Sequence, residues 1–425
     1  MIQSRQRIAV IGSGISGLAS AFFLSSVHDV ILFEAEGYLG GHTNTVDVTL
    51  EGQTHPVDTG FLVFNEQTYP NFIAFLAELN TRSYESDMSF GVSLNDGELE
   101  WAGTNIGSVF AQRKNLLSPQ FLIMLKDILR FNRSAESHLA VVNISGATLG
   151  QLLDDGNYST MFRDGYLLPM SAAIWSSSPQ DILQFPASTF LQFCLNHALL
   201  QVNDRPKWHT VKGGGRAYVN QIKNTISEYR LNTKVHRIER TDDGVLVTSD
   251  IGIEKFDSVV CATHAPQTLE MLVDASETER KILSSVRYQT NSAILHTDIK
   301  QMPKRKKVWS AWNYLGGRRV DGQRPVCVSY WLNQLQNLPF QTSVILTLNP
   351  FELPQASSIL AQFEYQHPIF DHAAILAQQQ LPTIQGKKRV WFAGAWTGYG
   401  FHEDGLKSAL RVVADFNISP PWAKV

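Results

Sequence analysis

The chain is poor in the features that mark secreted, metal-binding, membrane-spanning and nucleic-acid-binding proteins. Its 425 residues include three cysteines, Cys194, Cys261 and Cys327, far apart and without a CxxC pair. That excludes a disulfide scaffold or a zinc site and suits a reducing compartment, each thiol reading as a small buried apolar group. No uninterrupted apolar run approaches the roughly 18 residues of a spanning helix. No basic run is interleaved with aromatics, and a net charge of −3 gives no general attraction to nucleic acid, so no nucleic-acid partner is expected. Internal repeats and low-complexity tracts are absent. A nucleotide-type strand within the first dozen residues leaves no room for a cleaved signal peptide, and the expectation is a cytoplasmic protein, with peripheral contact at the inner membrane face left open. The length allows one large or two interleaved domains with ample core.

The informative features begin at once. Residues 7–35 read RIAVIGSGISGLASAFFLSSVHDVILFEA: an apolar strand, a Gly-rich turn, a helix and a second strand ending in Glu34 and Ala35. In the turn Gly12, Ser13, Gly14, Ile15, Ser16 and Gly17 would bring backbone close to a pyrophosphate, and the helix N-terminus adds free N–H groups and partial positive charge. An ordinary βαβ turn shares the glycines, but the preceding strand, the following helix and the delayed acid together make a dinucleotide site. Glu34 is placed to accept from a ribose. Its charge would repel the 2′-phosphate of NADP, leaving NAD or the ADP half of FAD.

The adjoining segment separates those two. Six residues past Glu34 come Gly40, Gly41, His42 and Thr43, a glycine pair that would carry amides to a second part of an extended dinucleotide and so favours FAD. Near the other end, VWFAGAWTGYGFHEDGLKSAL reads as a buried strand delivering Gly394, then a helix expected over 405–416 whose start, Gly405-Leu406, points back at the nucleotide cleft. Such a dipole beside a flavin ring would stabilise its anionic reduced form. Trp396, Tyr399, Phe401 and His402 lie between that strand and helix. Tyr399 or His402 is the candidate proton relay, though aromatics after a buried strand more often pack than react. Glu403 and Asp404 precede Gly405 as helix-capping acids, Asp404 also counting among the candidate cofactor residues.

In the middle of the chain a helix is expected from Pro70 to Leu79, a hairpin around Asn95-Asp96-Gly97, and a helix capped by Ser118-Pro119 with Leu122, Leu125, Ile128 and Leu129 at helical spacing. The chain then stays mostly helical to about residue 205. From Lys234 three short strands and an apolar fourth form a meander returning to a parallel sheet, and more strands are expected at 292–297, 308–314, 326–332 and 344–348. Trp175, Trp208, Trp309, Trp312 and Trp331 could line an apolar pocket or simply be core. Lys304 to Lys307 is a charge run that reads as a solvated turn or a phosphate-headgroup contact.

With these pieces in place the chain resembles the flavin-containing amine oxidase and phytoene desaturase superfamily. The matching pieces are GSGISG with Glu34, LGGHTNT, Val57-Asp58-Thr59-Gly60, Val211-Lys212-Gly213-Gly214-Gly215, Val235, FDSVVCATHAP, and WFAGAW with EDGLKSAL. It is most similar to bacterial predicted FAD-binding oxidoreductases that resemble the N-terminal region of plant cyclopropane fatty acid synthases, on GGHTNTVDV, VDTGFLVFNEQTYPN, SAAIWSSSP, WHTVKGGGRAYV and GAWTGYGFHEDGLKSAL. The resemblance implies an α/β fold. A glutathione-reductase-type FAD-binding Rossmann domain, a central parallel sheet with a β-meander (1–66, 207–280, 386–425), is interleaved with an α+β substrate domain (67–206, 281–385). It implies noncovalent FAD, with Val235 on the adenine side. It also implies hydride transfer with an apolar, lipid acyl-chain substrate and an acyl-modifying enzyme as a partner. Two departures matter. The strand where amine oxidases often carry a flavin-linked lysine reads TNSAILHTD and offers Asn291, Ser292 and His296, which puts amine oxidation in doubt; Ala395 stands where relatives usually have an acid. The alternatives are amine oxidation to aldehyde and peroxide, or a redox-idle FAD-bearing partner of a lipid-modifying enzyme. No metal site is read.

Overall fold

In the computed structural model the described residues are 5–175, 179–196, 199–201, 206–318 and 325–423. Three separated stretches of chain supply one five-stranded sheet. Its order is Glu228–Arg230, Asp29–Phe33, Arg7–Ile11, Ser258–Cys261, Val390–Phe392, and every neighbouring pair is parallel. The four strands from Asp29–Phe33 to Val390–Phe392 are mostly apolar because both faces are covered, whereas the edge strand Glu228–Arg230 reads Glu-Tyr-Arg. On one side lies the Ile15–Leu24 helix, itself packed against the C-terminal His402–Asp415 helix; on the other, the antiparallel meander Val235–Thr241, Gly244–Ser249, Gly252–Phe256. The doubly wound parallel sheet with its meander is the expected α/β class.

A seven-stranded mixed sheet forms the other half. Its order is Ile359–Ile369, Arg287–His296, Ile345–Leu348, Val326–Trp331, Trp312–Gly316, Phe90–Leu94, Leu99–Ala102, and only the Trp312–Gly316 pairing with Phe90–Leu94 is parallel. A helical layer running from Pro119–Ser145 to Ala187–Asn196 packs beside it. The hairpin at Asn95-Asp96-Gly97 forms as read, all three residues at positive φ.

Three expectations are corrected. The C-terminal helix begins at His402, three residues ahead of Gly405, because Asp404 turns back to accept from the Phe401 N–H at 3.0 Å and the first turn closes there. The Pro119–Ser145 helix is capped by Ser118 as read, but it buries Phe121, Met124, Asp127, Phe131 and Ala135, leaving Leu122 and Leu129 exposed. The Ile359–Ile369 strand was not expected. Its Phe363, Tyr365 and His367 alternate toward one face, and Pro368 is tolerated because this is an edge strand.

Candidate functional site

The strand order reverses between Arg7–Ile11 and Ser258–Cys261, and at the carboxyl ends of these strands a cavity of about 610 Å³ opens. Ligands of open α/β sheets bind in such crevices. One end is walled by Glu34, Thr233 and Val235, the middle by Gly12 to Ser16 and Gly40 to His42, and the far end by Gly394, Trp396 and His402.

The Gly-rich turn is shaped for close approach. Gly12 sits at φ +94°, and a side chain there would meet the Ala262 carbonyl oxygen at 2.9 Å. A Cβ on Gly14 would meet nothing within 4 Å: it faces open cavity, at the N-cap of Ile15–Leu24 where the first amides of the helix are free. Gly41 is stacked on Gly14, its own Cβ position 3.2 Å from the Gly14 Cα. Glu34 braces this loop: one carboxylate oxygen accepts from the Ser13 N–H and hydroxyl at 2.8 and 2.5 Å, the other from the Glu36 N–H at 2.9 Å.

Ala35, Ile15, Ser16 and His42 also line the cavity. Six of the residues expected there from the sequence do not. Gly17 is buried behind the turn, where a Cβ would fall 1.8 Å from the Gly12 oxygen, so its smallness seats the helix on the strand. Gly405 does the same for the two helices: a Cβ would meet Ile15 at 2.7 Å, and its carbonyl accepts from the Ser16 hydroxyl. Its N–H is bonded to the Phe401 carbonyl and therefore offers nothing to a ligand; the free amides belong to His402 and its two successors. Leu406 is fully buried in the core under the Gly-rich turn's helix. Asp404 is the helix cap, its carboxyl pushed up to about 6 by burial. Thr43 bonds the Tyr218 hydroxyl at 2.7 Å. Tyr399 packs on Phe193 outside the cavity wall, its hydroxyl made harder to ionise by burial.

His402 does line the cavity, yet as a locked neutral ring. It stacks on Phe61 at 3.7 Å between centroids, and Nε2 shares a hydrogen bond with the Tyr218 hydroxyl at 2.7 Å. Burial lowers its pKa to about 3, so the ring is neutral near neutral pH. Glu403 has another role that the sequence did not disclose. Its buried carboxylate accepts from the backbone N–H groups of Asn71 and Phe72, at 3.2 and 2.9 Å, and so serves as the anion at the start of the Pro70–Glu78 helix.

The motif residues Val57 to Gly60 and Gly213 to Gly215 meet beneath the cavity floor. Buried Asp58 accepts from the Thr45 hydroxyl and the Gly215 N–H, at 2.5 and 2.8 Å, while burial raises its carboxyl to about 6. The Gly60 backbone crosses His42 so closely that a Cβ would fall 2.1 Å from the His42 oxygen.

Opposite the turn stands a wall of imidazoles. His42 lies 5.1 Å from Tyr365, 5.4 Å from His367 and 6.3 Å from His264, ring centre to ring centre. Burial, then the neighbouring imidazoles, lowers His42 to about 3, and burial lowers His367 to about 4. Of the candidates at the lysine position, Asn291 is fully buried and donates to His367 Nδ1 at 2.9 Å, its own oxygen held by Asn349, whose oxygen in turn accepts from the Ser292 N–H. That chain starts at a backbone donor, so every amide orientation in it is fixed and His367 carries its proton on Nε2. His296 instead bonds Thr347 and the Asp298 N–H, at the other end of the strand. Tyr365 and His367 sit on the unexpected edge strand; its two-residue alternation was the signal that could have found them.

Among the described residues three buried nitrogens of the cavity lining have no protein partner, His42 Nε2, Trp312 Nε1 and Trp396 Nε1. Orphans of this kind call for a ligand's polar atoms. With the open cradle at Gly14 they fit a long dinucleotide with a polar ring, held by the Gly12 to Ser16 turn at its phosphates and by Gly40 to His42 and Gly394 to Trp396 at its far half. No cysteine lines the cavity among the described residues.

The fold and this cavity define a dinucleotide-binding flavoprotein of the doubly wound class. The chain belongs to the flavin containing amine oxidoreductases, whose family model matches residues 15–331. Its cofactor is FAD and it is an FAD-dependent oxidoreductase. Comparison with curated proteins finds no match. Among solved structures it is similar to a CLA-producing fatty acid isomerase from P. acnes (TM-score 0.69, 15% identity, 98% of this chain and 100% of that one). It is also similar to cyclohexylamine oxidase from Brevibacterium oxydans (0.67, 16%, 97% and 100%), and to putrescine oxidase bound to putrescine (0.67, 14%, 97% and 99%). At such identities these likenesses show the fold.

Proposed function

We propose that the protein moves a hydride between FAD and an apolar substrate of the acyl-chain class. The observation that carries this reading is the substrate end of the cavity. Met88, Trp208, Trp312, Tyr330, Leu346 and Leu348 line it. The acids among the described lining residues, Glu34, Glu36 and Glu270, lie with Thr233 and Val235 at the opposite, nucleotide end. An ammonium group entering the apolar end would lose its hydration without gaining a carboxylate. A hydrocarbon chain there would gain from burial instead, at roughly 25 cal/mol per Å². The fatty acid isomerase among the similar structures supports the same substrate class. The finer likeness to cyclopropane-synthase-linked proteins rests on the sequence motifs alone.

FAD supplies the two-electron acceptor or donor. The aromatic residues exclude water from the reacting carbon, His367 presents an N–H, and His42 Nε2, without a partner among the described residues, is left open to a bound molecule on a ring that stays neutral near neutral pH. Tyr365 is fixed by Asn44 and Thr59 through its hydroxyl, at 3.1 and 2.8 Å. The test is anaerobic spectroscopy of the FAD-loaded protein. Unsaturated fatty acids or a phospholipid extract should bleach the oxidised flavin or reoxidise the dithionite-reduced one. Bleaching by putrescine or cyclohexylamine, with every lipid inert in both directions, would establish amine oxidation in its place.

A further inference from the structure

We infer that one corner of the molecule, remote in sequence from the Gly-rich turn, docks on the surface of an anionic phospholipid membrane. The apolar part is formed by Ile106, Leu116, Leu117, Leu122 and Ile123. Ile106 is 81% and Leu117 88% exposed, values reached only by side chains that project from the surface. Ile106 heads the short Ile106–Val109 helix; Leu116 and Leu117 end the Arg113–Leu117 turn, and Leu122 and Ile123 lie in the first turns of Pro119–Ser145.

Cations stand at the same corner. The Ile106–Val109 helix packs against the Lys306–Val308 turn, and the Arg113–Leu117 turn packs against the helix after it. Buried Glu100 fastens the basic turn there, accepting from the N–H groups of Lys304 and Arg305 at 2.7 and 3.2 Å and from the Arg305 guanidinium at 2.7 Å. Buried Gln112, next to Arg113, accepts from the Glu100 N–H at 3.0 Å and donates to the Gly97 carbonyl at 3.0 Å. Two inward-facing side chains thus hold the apolar tip and the basic turn in one rigid arrangement. The local acids are matched: Asp96 with Lys304, Glu98 with Arg318, Glu100 with Arg305. Arg113, Lys126, Lys306 and Lys307 are exposed and form no ion pair among the described residues, so the uncompensated charge at this corner is positive.

A projecting aliphatic tip with an unpaired cationic rim matches the two layers of an anionic bilayer surface. The side chains enter the acyl boundary while lysines and arginines meet the headgroup phosphates. A protein partner would need a recess shaped to receive the tip, and its acids to meet the rim; the lipid surface supplies both without shape matching. The inference is independent of the substrate reading, because its test measures lipid binding and not turnover.

The FAD-loaded full chain is sedimented with vesicles of phosphatidylcholine alone and of phosphatidylcholine with phosphatidylglycerol in equal parts. Binding to the mixed vesicles, weakened by salt, is expected. Lys306→Glu with Lys307→Glu should lower it by about tenfold or more, since each charge near the surface contributes on the order of a fivefold factor. Ile106→Asp with Leu117→Asp should abolish it. Both pairs are exposed, so flavin content and melting temperature should stay at the parent values, which separates lost docking from lost folding. Failure of the parent to sediment with the mixed vesicles overturns the inference, as does undiminished sedimentation of the Ile106→Asp, Leu117→Asp variant; capture of this corner by a protein in place of lipid would show in the same way, as no vesicle binding.

Discussion

Gly14 and Gly17 stand three positions apart in one motif and do different work. At Gly14 the missing side chain leaves room for a ligand; at Gly17 it leaves room for the protein's own backbone. Gly14→Val should therefore give a folded protein that purifies without its flavin colour, while Gly17→Val should fail to accumulate as folded protein. A Gly14→Val variant with full flavin absorbance would refute the assigned cradle. The motif's spacing is legible in the sequence, but which glycine faces ligand is set by where the helix crosses the strand. His402 shows the opposite difficulty. Its position between strand and helix suggested chemistry, and only the stacking on Phe61 and the hydroxyl of Tyr218 show a neutral, fixed ring.

Among the elements, the Pro70–Glu78 helix and the C-terminal helix are far apart in sequence and joined by a single carboxylate. Glu403→Ala would leave the Asn71 and Phe72 amides without their acceptor, Phe72 being fully buried. A loss of about 1–3 kcal/mol in chemical denaturation is expected, and a smaller one for Glu403→Gln, which keeps an acceptor oxygen. Equal stability of the alanine variant and the parent would show that water replaces the cap. The acid's place beside Asp404 read as a cap of its own helix, and one of the two acids is that. The other reaches across because the two helices pack. The burial of Pro119–Ser145 has a similar origin: its neighbours cover Phe121, Met124 and Phe131 and partly cover Leu125 and Ile128, while Leu122 and Leu129 stay exposed.

For the whole molecule the buried imidazoles set the response to acid. His42 and His402 are lowered to about 3 and His367 to about 4, from an ordinary 6.5. Below pH 6.5 the unfolded chain takes up protons that the folded one refuses, so this stability is complete above 6.5 and is lost as pH falls toward the folded values. Asp58 and Asp404, raised from 3.8 to about 6, act in the reverse sense: the folded chain holds their protons, and stability from them is lost as pH rises from 3.8 through about 6. The imidazoles are more numerous and displaced further, so the net expectation is a melting temperature that falls as pH is lowered from 7 to 5. His402→Phe should make that fall shallower. A flat profile for the parent, or an unchanged slope in the variant, would count against neutral burial of these rings.

Local order in the sequence determined the nucleotide-binding unit, the meander, the hairpin and the helix caps, because each depends on residues only a few positions apart. It also determined FAD over NADP and most residues of the Gly-rich cradle. What only the tertiary structure decided is the other wall of the site, where His42, His264 and the Tyr365–His367 pair arrive from three separate stretches, and the apolar end that Trp208 and Trp312 share while Trp175, Trp309 and Trp331 stay outside. Those contacts are made by sheet order and strand register. Register is set by which faces bury together across the whole chain, and no short window of sequence contains that information.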